Sequence, residues 1–204
     1  PWQLCEQCRT LLAGQVRPRT VCLACGRPGV AGAGPLCCGC APGQPEAVSL
    51  LPFRPCGVPL AHRLKFGHER GVARSLAGLL AAALPLPEPA PALCPVPLCR
   101  GRRRRRGYNQ AALLADDFAR RRGLIVLTPL RRIRSTPPQA RLRAAERRQN
   151  LEGAFRARPP REGEQRRLFL LDDVVTTGAT LRACRAALGE AGWEVCGAGA
   201  VFHG

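Results

Sequence analysis

Asp172 and Asp173 stand side by side at the end of the apolar run 168–171, and Val174, Val175, Thr176, Thr177, Gly178, Ala179 and Thr180 follow directly. In an open parallel α/β sheet, ligands bind beyond the carboxyl ends of the strands, where such a run would end. The segment after the acids offers backbone N–H groups, threonine hydroxyls, a glycine that permits close approach and the start of a helix. Together these form a cup for a phosphate monoester. The two carboxylates just ahead of the cup can accept hydrogen bonds from the hydroxyls of a sugar. The pattern therefore suits a sugar phosphate, with donors at one end and acceptors at the other. The plainer alternative is a pair of acids that only finishes a strand, with Thr180 as N-cap.

A second constellation lies near the start. Cys5-x-x-Cys8, Cys22-x-x-Cys25 and Cys37-x-x-Cys40 account for half of the 12 cysteines. Two cysteines on a tight turn present two thiolates to one ion, and two such turns complete a tetrahedral zinc shell. Cys22, Cys25, Cys37 and Cys40 make the best complete site, and its all-cysteine ligand set points to a structural zinc. Cys5 and Cys8 read as half of another ribbon. Cys56, Cys94, Cys99, Cys184 and Cys196 read mainly as small core residues.

The elements that would hold these groups are those of an α/β protein. Residues 1–41 are rich in Gly and Pro and lack a hydrophobic period, so metal is expected to replace a core there. Strands are expected at 47–53, from Ala92, at 124–130, at 167–173 and from Glu194. Helices are expected from His62, with a break at Gly67 or Gly71, from Asn109, and from Thr180 to Ala191. The last would put Leu181, Cys184, Ala187, Leu188 and Ala191 on one face. A basic loop is expected around Arg102–Arg106, and an irregular, mobile segment at 131–150. Alternating strands and helices argue for a parallel sheet covered on both faces.

Across 204 residues, Lys+Arg number 32 against 14 Asp+Glu, for a net charge of +18, and every basic residue but Lys65 is arginine. Such a field favours phosphates, nucleotides or nucleic acid. Part of it reflects a compositional preference for arginine, so only local clusters carry functional weight. Aromatic content of 4% argues against a stacking platform for single strands. No stretch is long and apolar enough for a membrane span. There is no methionine, so the chain begins after a removed start residue or inside a longer protein. A cytoplasmic location is the expectation.

The string "DDVVTTGAT" resembles the phosphoribosyl-pyrophosphate (PRPP) motif of type I phosphoribosyltransferases. The resemblance implies that Asp172 and Asp173 bind the ribose hydroxyls and that Thr176–Thr180 bind the 5′-phosphate, with magnesium bridging pyrophosphate and ribose. Two further stretches narrow it. "VPLCRGRRRRRGYNQAALLA" and "QARLRAAERRQNLEGAF" resemble segments of the ComF family, phosphoribosyltransferase-like proteins linked to competence and carrying a cysteine-pair zinc ribbon. Tyr108 stands where that family usually has Phe. The resemblance implies a zinc ribbon at 1–41 and a phosphoribosyltransferase-like domain at 47–204. It also implies pyrophosphate contacts by Arg106 and Asn109, and a flexible loop bearing Arg147 and Asn150. Three functions stay open at this level: a phosphoribosyltransferase, a nucleic-acid-binding accessory of DNA uptake that meets single-stranded DNA and other uptake proteins, and a PRPP sensor without turnover.

Overall fold

The computed structural model describes residues 4–25, 28–30, 46–66, 70–134 and 151–204. Cys37, Cys40, His68, Arg147 and Asn150 lie outside these described residues. The chain is an α/β protein built on a six-stranded sheet in the order β2-β1-β3-β8-β7-β4. Its strands are β1 (Arg19–Cys22), β2 (Pro28–Val30), β3 (Glu46–Pro52), β4 (Ala92–Pro95), β7 (Arg167–Val175) and β8 (Glu194–His203). The block β3-β8-β7-β4 is parallel, and β1 and β2 add an antiparallel edge. Sheet hydrogen bonding therefore joins the 1–41 segment to the segment after residue 47.

Strand β7 shows why both faces must be covered. Leu168 and Leu170 point to one side, where they join Leu181, Cys184 and Leu188 of α6 (Ala179–Glu190). Phe169 and Leu171 point to the other, among Leu76 and Leu80 of α3 (Arg70–Ala83) and Leu114 and Phe118 of α5 (Gln110–Arg122). Period-two alternation with apolar residues on both sides is the signature of a parallel strand buried on both faces. Each large side chain fully buried here, such as Phe118 or Phe202, contributes roughly 1.5–3 kcal/mol relative to exposure.

Several elements differ from the expectations. The N-terminal segment, expected to lack a hydrophobic period, contains a helix, α1 (Glu6–Gly14), whose Leu12 packs against the core. Helix α2 (Val58–Phe66) begins four residues before His62, and Gly71 is already inside α3; Gly67 lies outside the described residues. The strand expected at 124–130 shrinks to one parallel bridge between Val126 and Leu93. Pro129, which has no N–H to donate, follows it. The chain then forms β5 (Leu130–Arg132), which pairs antiparallel with β6 (Phe155–Ala157) in a separate two-stranded ribbon. The basic loop is instead a short helix, α4 (Arg100–Arg106). Arginine favours helix, and Gly107, at φ 77°, ends it by donating its N–H to the Arg103 carbonyl at 2.8 Å.

Strand β8 carries glycine where the layers close most tightly. A Cβ on Gly199 would lie 2.5 Å from Leu84 Cδ2 and 3.0 Å from Phe169 Cε1. Replacing Gly199 with Ala is expected to destabilise the fold by about 1–3 kcal/mol through overpacking. Urea unfolding would show this as a lower midpoint at unchanged slope; an unchanged midpoint would contradict the packing described.

Candidate functional site

A cavity of about 340 Å³ opens at the carboxyl ends of β4 and β7. Asp172 and Asp173 both line it, with their side chains within hydrogen-bonding and electrostatic reach of each other. Asp173 faces α2, where Lys65 Nζ lies 2.9 Å from its Oδ2. Asp172 faces the α6 side, within electrostatic reach of Cys184 and Arg132. The Asp172 Oδ1 accepts a hydrogen bond from the Asp173 backbone N–H at 2.8 Å. Burial, then the neighbouring Asp173 charge, push the Asp172 carboxyl well above the ordinary carboxylate range; Lys65 pulls the other way.

The cavity's walls come from four places. After β4, Val96, Pro97 and Leu98 form one side. Helix α4 turns Arg102 and Arg106, one helical turn apart, toward the cavity. Burial lowers the Arg106 pKa, and Asp173 partly restores it. Strand β5 contributes Arg132, whose guanidinium lies 5.4 Å from the Phe155 ring centroid and whose pKa is also lowered, first by burial and then by Arg102. Thr176 and Thr180 close the far side. Three guanidinium groups from two elements thus face two carboxylates across one cleft.

Asn109 fixes the wall between α4 and α5. Its Oδ1 accepts from the Ala111 N–H at 3.2 Å, capping α5, while its Nδ2 donates to the Val96 carbonyl at 2.9 Å. One residue earlier, the Tyr108 hydroxyl donates to the Leu64 carbonyl at 2.8 Å. That bond ties the wall to α2 beside Lys65.

The loop after β7 is shaped for close approach. Gly178, at φ 68°, caps α6, and a Cβ there would sit 3.0 Å from Val21 Cγ1 of β1. Arg182 Nη1 donates to the Thr177 carbonyl at 2.7 Å, bracing the loop from the first turn of α6.

Of the residues expected in the site, Arg106, Asn109, Asp172, Asp173, Val174, Thr176 and Thr180 line one cavity. Val175 and Ala179 turn into the core instead, and Thr177 and Gly178 belong to the loop backbone beside it. Lys65 and Arg182 lie outside the residues expected in the site, and Arg132 belongs to a basic stretch whose sequence suggests only contact with a nucleic-acid backbone. For Lys65 there was a signal: in a chain that otherwise uses arginine, the single lysine stands where a compact, flexible point charge meets a carboxylate. Arg182 has none, being one arginine among many.

The cysteine sites are described in part. Cys22 ends β1 and is buried, and Cys25 lies in the turn that leads to β2. Two cysteines on such a hairpin turn fit half of a tetrahedral thiolate set. Cys5 caps α1 and Cys8 lies in its first turn, both exposed, with hydrogen bonding between them. Among the described residues, no group of three or more His, Cys, Asp or Glu side chains is gathered for a metal. Cys94, Cys99 and Cys184 are buried, as core thiols should be; burial raises Cys94 to about 12. Among the described residues, no helix is long and apolar enough to cross a membrane.

Fold and cavity together define an α/β protein with a mostly parallel, helix-flanked sheet and a charged cleft at its carboxyl edge. The chain is 36% identical over 195 residues to DNA utilization protein YhgH of Salmonella typhi, covering 88% of this chain and 81% of that protein. It is 32% identical over 189 residues to the protein of the same name in Escherichia coli. Competence protein F of Haemophilus influenzae is 38% identical over 143 residues, 66% of this chain and 62% of that protein. No family model matches the chain. The chain belongs to the ComF family.

The Asp172 environment has a consequence for stability. A carboxyl whose folded pKa is raised costs nothing while it is protonated in both states. The cost appears as pH rises through the unfolded value and grows until the folded value is passed. Asp172→Asn is therefore expected to raise the thermal midpoint of the unliganded protein at neutral pH. The gain should shrink as pH falls toward the ordinary Asp range near 3.8. A pH series of thermal unfolding that shows the same difference at every pH would refute this.

Proposed function

We propose that this protein binds PRPP with magnesium in the cavity at the strand ends, as a phosphoribosyltransferase-like ComF protein that serves DNA utilization. The carrying observation is the cavity itself. It joins the Asp172–Asp173 pair to guanidinium groups of Arg102, Arg106 and Arg132, with Thr176 and Thr180 at its far side. The acids would accept hydrogen bonds from the ribose diol, and the loop through Gly178 would donate backbone N–H groups to the 5′-phosphate. The three arginines would take the pyrophosphate, for which their planar donors are suited. Bound magnesium would supply charge neutralisation of the leaving pyrophosphate. Lys65 would hold Asp173 in place and keep the pair from repelling before ligand arrives.

In a transfer reaction, a nitrogen nucleophile forms a bond to C1 while the bond from C1 to pyrophosphate breaks, its electron pair leaving with pyrophosphate. Positioning and electrostatics would carry such a step, since no side chain in the cavity serves as a covalent nucleophile in this reading. Zinc on Cys22, Cys25, Cys37 and Cys40 belongs to the same reading. Its support is the Cys22–Cys25 turn, and its effect on the site would pass through β1, whose Val21 abuts Gly178.

A second reading, binding of DNA, is favoured by how α4 divides its arginines. Arg102 and Arg106 face the cavity, whereas Arg100, Arg103 and Arg104 are exposed and line a separate open depression with Gly107. No acid lies on this helix, and like charges three and four residues apart destabilise it. A polyanion would relieve that repulsion. No aromatic side chain lines the depression, so contact would be to phosphate and not to bases. The names of the relatives, DNA utilization protein and competence protein, fit such a partner. Arg120–Arg122 end α5, about 18 Å along that helix from Asn109 at a rise of about 1.5 Å per residue.

Calorimetry with magnesium tests the first reading. The wild-type chain should bind PRPP, and the double variant Asp172→Asn, Asp173→Asn should lose about a hundredfold or more in affinity, since two hydrogen bonds to charged groups are worth about 3–6 kcal/mol. Equal affinities would sink it. For DNA, anisotropy titrations on single strands at several salt concentrations should give a log–log slope of about −0.7 per phosphate neutralised. Replacing Arg100, Arg103 and Arg104 with Ala should flatten the slope and spare PRPP binding. Arg106→Ala should do the reverse. A slope indifferent to the first triple variant would exclude α4 as the contact.

A further inference from the structure

A second cleft, of about 310 Å³, lies between α1, α3 and the end of α5. Its floor is apolar: Leu4, Leu12, Leu76 and Leu79. Its rim carries one guanidinium from each of three helices, Arg9 of α1, Arg74 of α3 and Arg121 of α5, and no carboxylate lines it among the described residues. The cleft is distant from the charged cavity at the strand ends. Asn109, at the start of α5, borders that cavity. Arg121 follows about 18 Å along the same helix, at a rise of about 1.5 Å per residue.

Two observations mark this cleft as more than a solvated surface. The first is the state of its cations. On the last turn of α5, Arg120 is held by Asp117 at 2.8 Å, and Arg122 donates to the Ala81 carbonyl at 2.9 Å. Arg121 stands between them, and neither it nor Arg9 nor Arg74 makes a side-chain hydrogen bond or ion pair among the described residues. The second is the way the floor is kept open. The Leu4 backbone N–H donates to Ser75 Oγ at 3.3 Å, and Ser75 in turn donates to the Gly71 carbonyl at 3.2 Å. This chain of bonds sets α1 against α3 and uses the one hydroxyl in the cleft. Gly78 leaves room beneath Arg121, whose Cζ would lie 3.6 Å from a Cβ placed there. What remains is an apolar pocket under unpaired positive charge, at the small end of the roughly 300–1,000 Å³ range of ligand sites.

We propose that this cleft binds a small amphipathic anion: one carboxylate or phosphate monoester on an aliphatic or aromatic body. The head group would sit among Arg9, Arg74 and Arg121, with charge-assisted hydrogen bonds to their guanidinium groups. The body would cover Leu12, Leu76 and Leu79. The proposal is independent of PRPP binding at the strand ends, because the two sites share no residue.

The test uses 1-anilinonaphthalene-8-sulfonate, a fluorescent probe with this chemistry, on the full chain. Its emission should rise and saturate at one site per chain. The triple variant Arg9→Gln, Arg74→Gln, Arg121→Gln should weaken the probe at least tenfold without moving the thermal midpoint. Arg74→Gln alone should give an intermediate loss. Octanoate or phenyl phosphate should displace the probe, and whichever does so identifies the head group; inorganic phosphate and octanol should not. Saturating PRPP should leave the signal unchanged. The proposal is overturned if the triple variant binds the probe like wild type, if PRPP displaces the probe, if octanol displaces it as well as the anions do, or if neither anion displaces it.

Discussion

Two carboxylates on consecutive residues at the end of a buried strand repel each other and lose water together. The ion pair between Lys65 and Asp173 makes that arrangement tenable, and much of the site is organised around it. Asp172 and Asp173 line the same cavity and act on each other directly, yet their other neighbours differ. Asp173 gains a cation. Asp172 gains mainly burial, and its carboxyl is pushed upward as a result. The pair is thus unequal before any ligand arrives. A ligand bringing hydroxyls or a cation to Asp172 would relieve a cost already present in the fold.

The surroundings of Lys65 follow from the same constraint. Its helix, α2, is pinned by the Tyr108 hydroxyl on the Leu64 carbonyl, and Tyr108 itself follows the glycine that ends α4. The lysine, the cavity-facing arginines and the Asn109 cap therefore belong to one connected wall. Disturbing α4 would be felt at Asp173 through that wall. The partition of the arginine run arises here too. A loop could have aimed every guanidinium at the same anion, whereas a helix must send them to different sides.

The N-terminal segment is tied to this site by packing as well as by sheet hydrogen bonds. Strand β1 pairs with β3, and Val21 Cγ1 would lie only 3.0 Å from a Cβ at position 178. The turn that holds Cys22 and Cys25 is therefore continuous with a strand that touches the loop after β7. Helix α1 docks on the far side of the sheet's helical layer, against α3, and creates the second cleft there.

By itself the sequence determined the alternation of strands and helices, the inward faces of β7 and α6, and the identity of the two acids and the loop after them. Those features are local: apolar period, a glycine at a helix start, and a contiguous string of residue types. The family, too, was legible from contiguous strings. What only the tertiary structure decided depends on residues far apart in the chain. Lys65 meets Asp173 across more than a hundred positions, and Arg132 reaches the cavity from a ribbon whose two strands are separated in sequence. Helix α1 buries none of its residues fully, so no core face marks it, and the Leu4 N–H just ahead of it is tied to Ser75 of α3. The arginine run looked like one basic loop because composition has no direction. Only the helical turn, with Gly107 to end it, assigned Arg102 and Arg106 inward and Arg100, Arg103 and Arg104 outward.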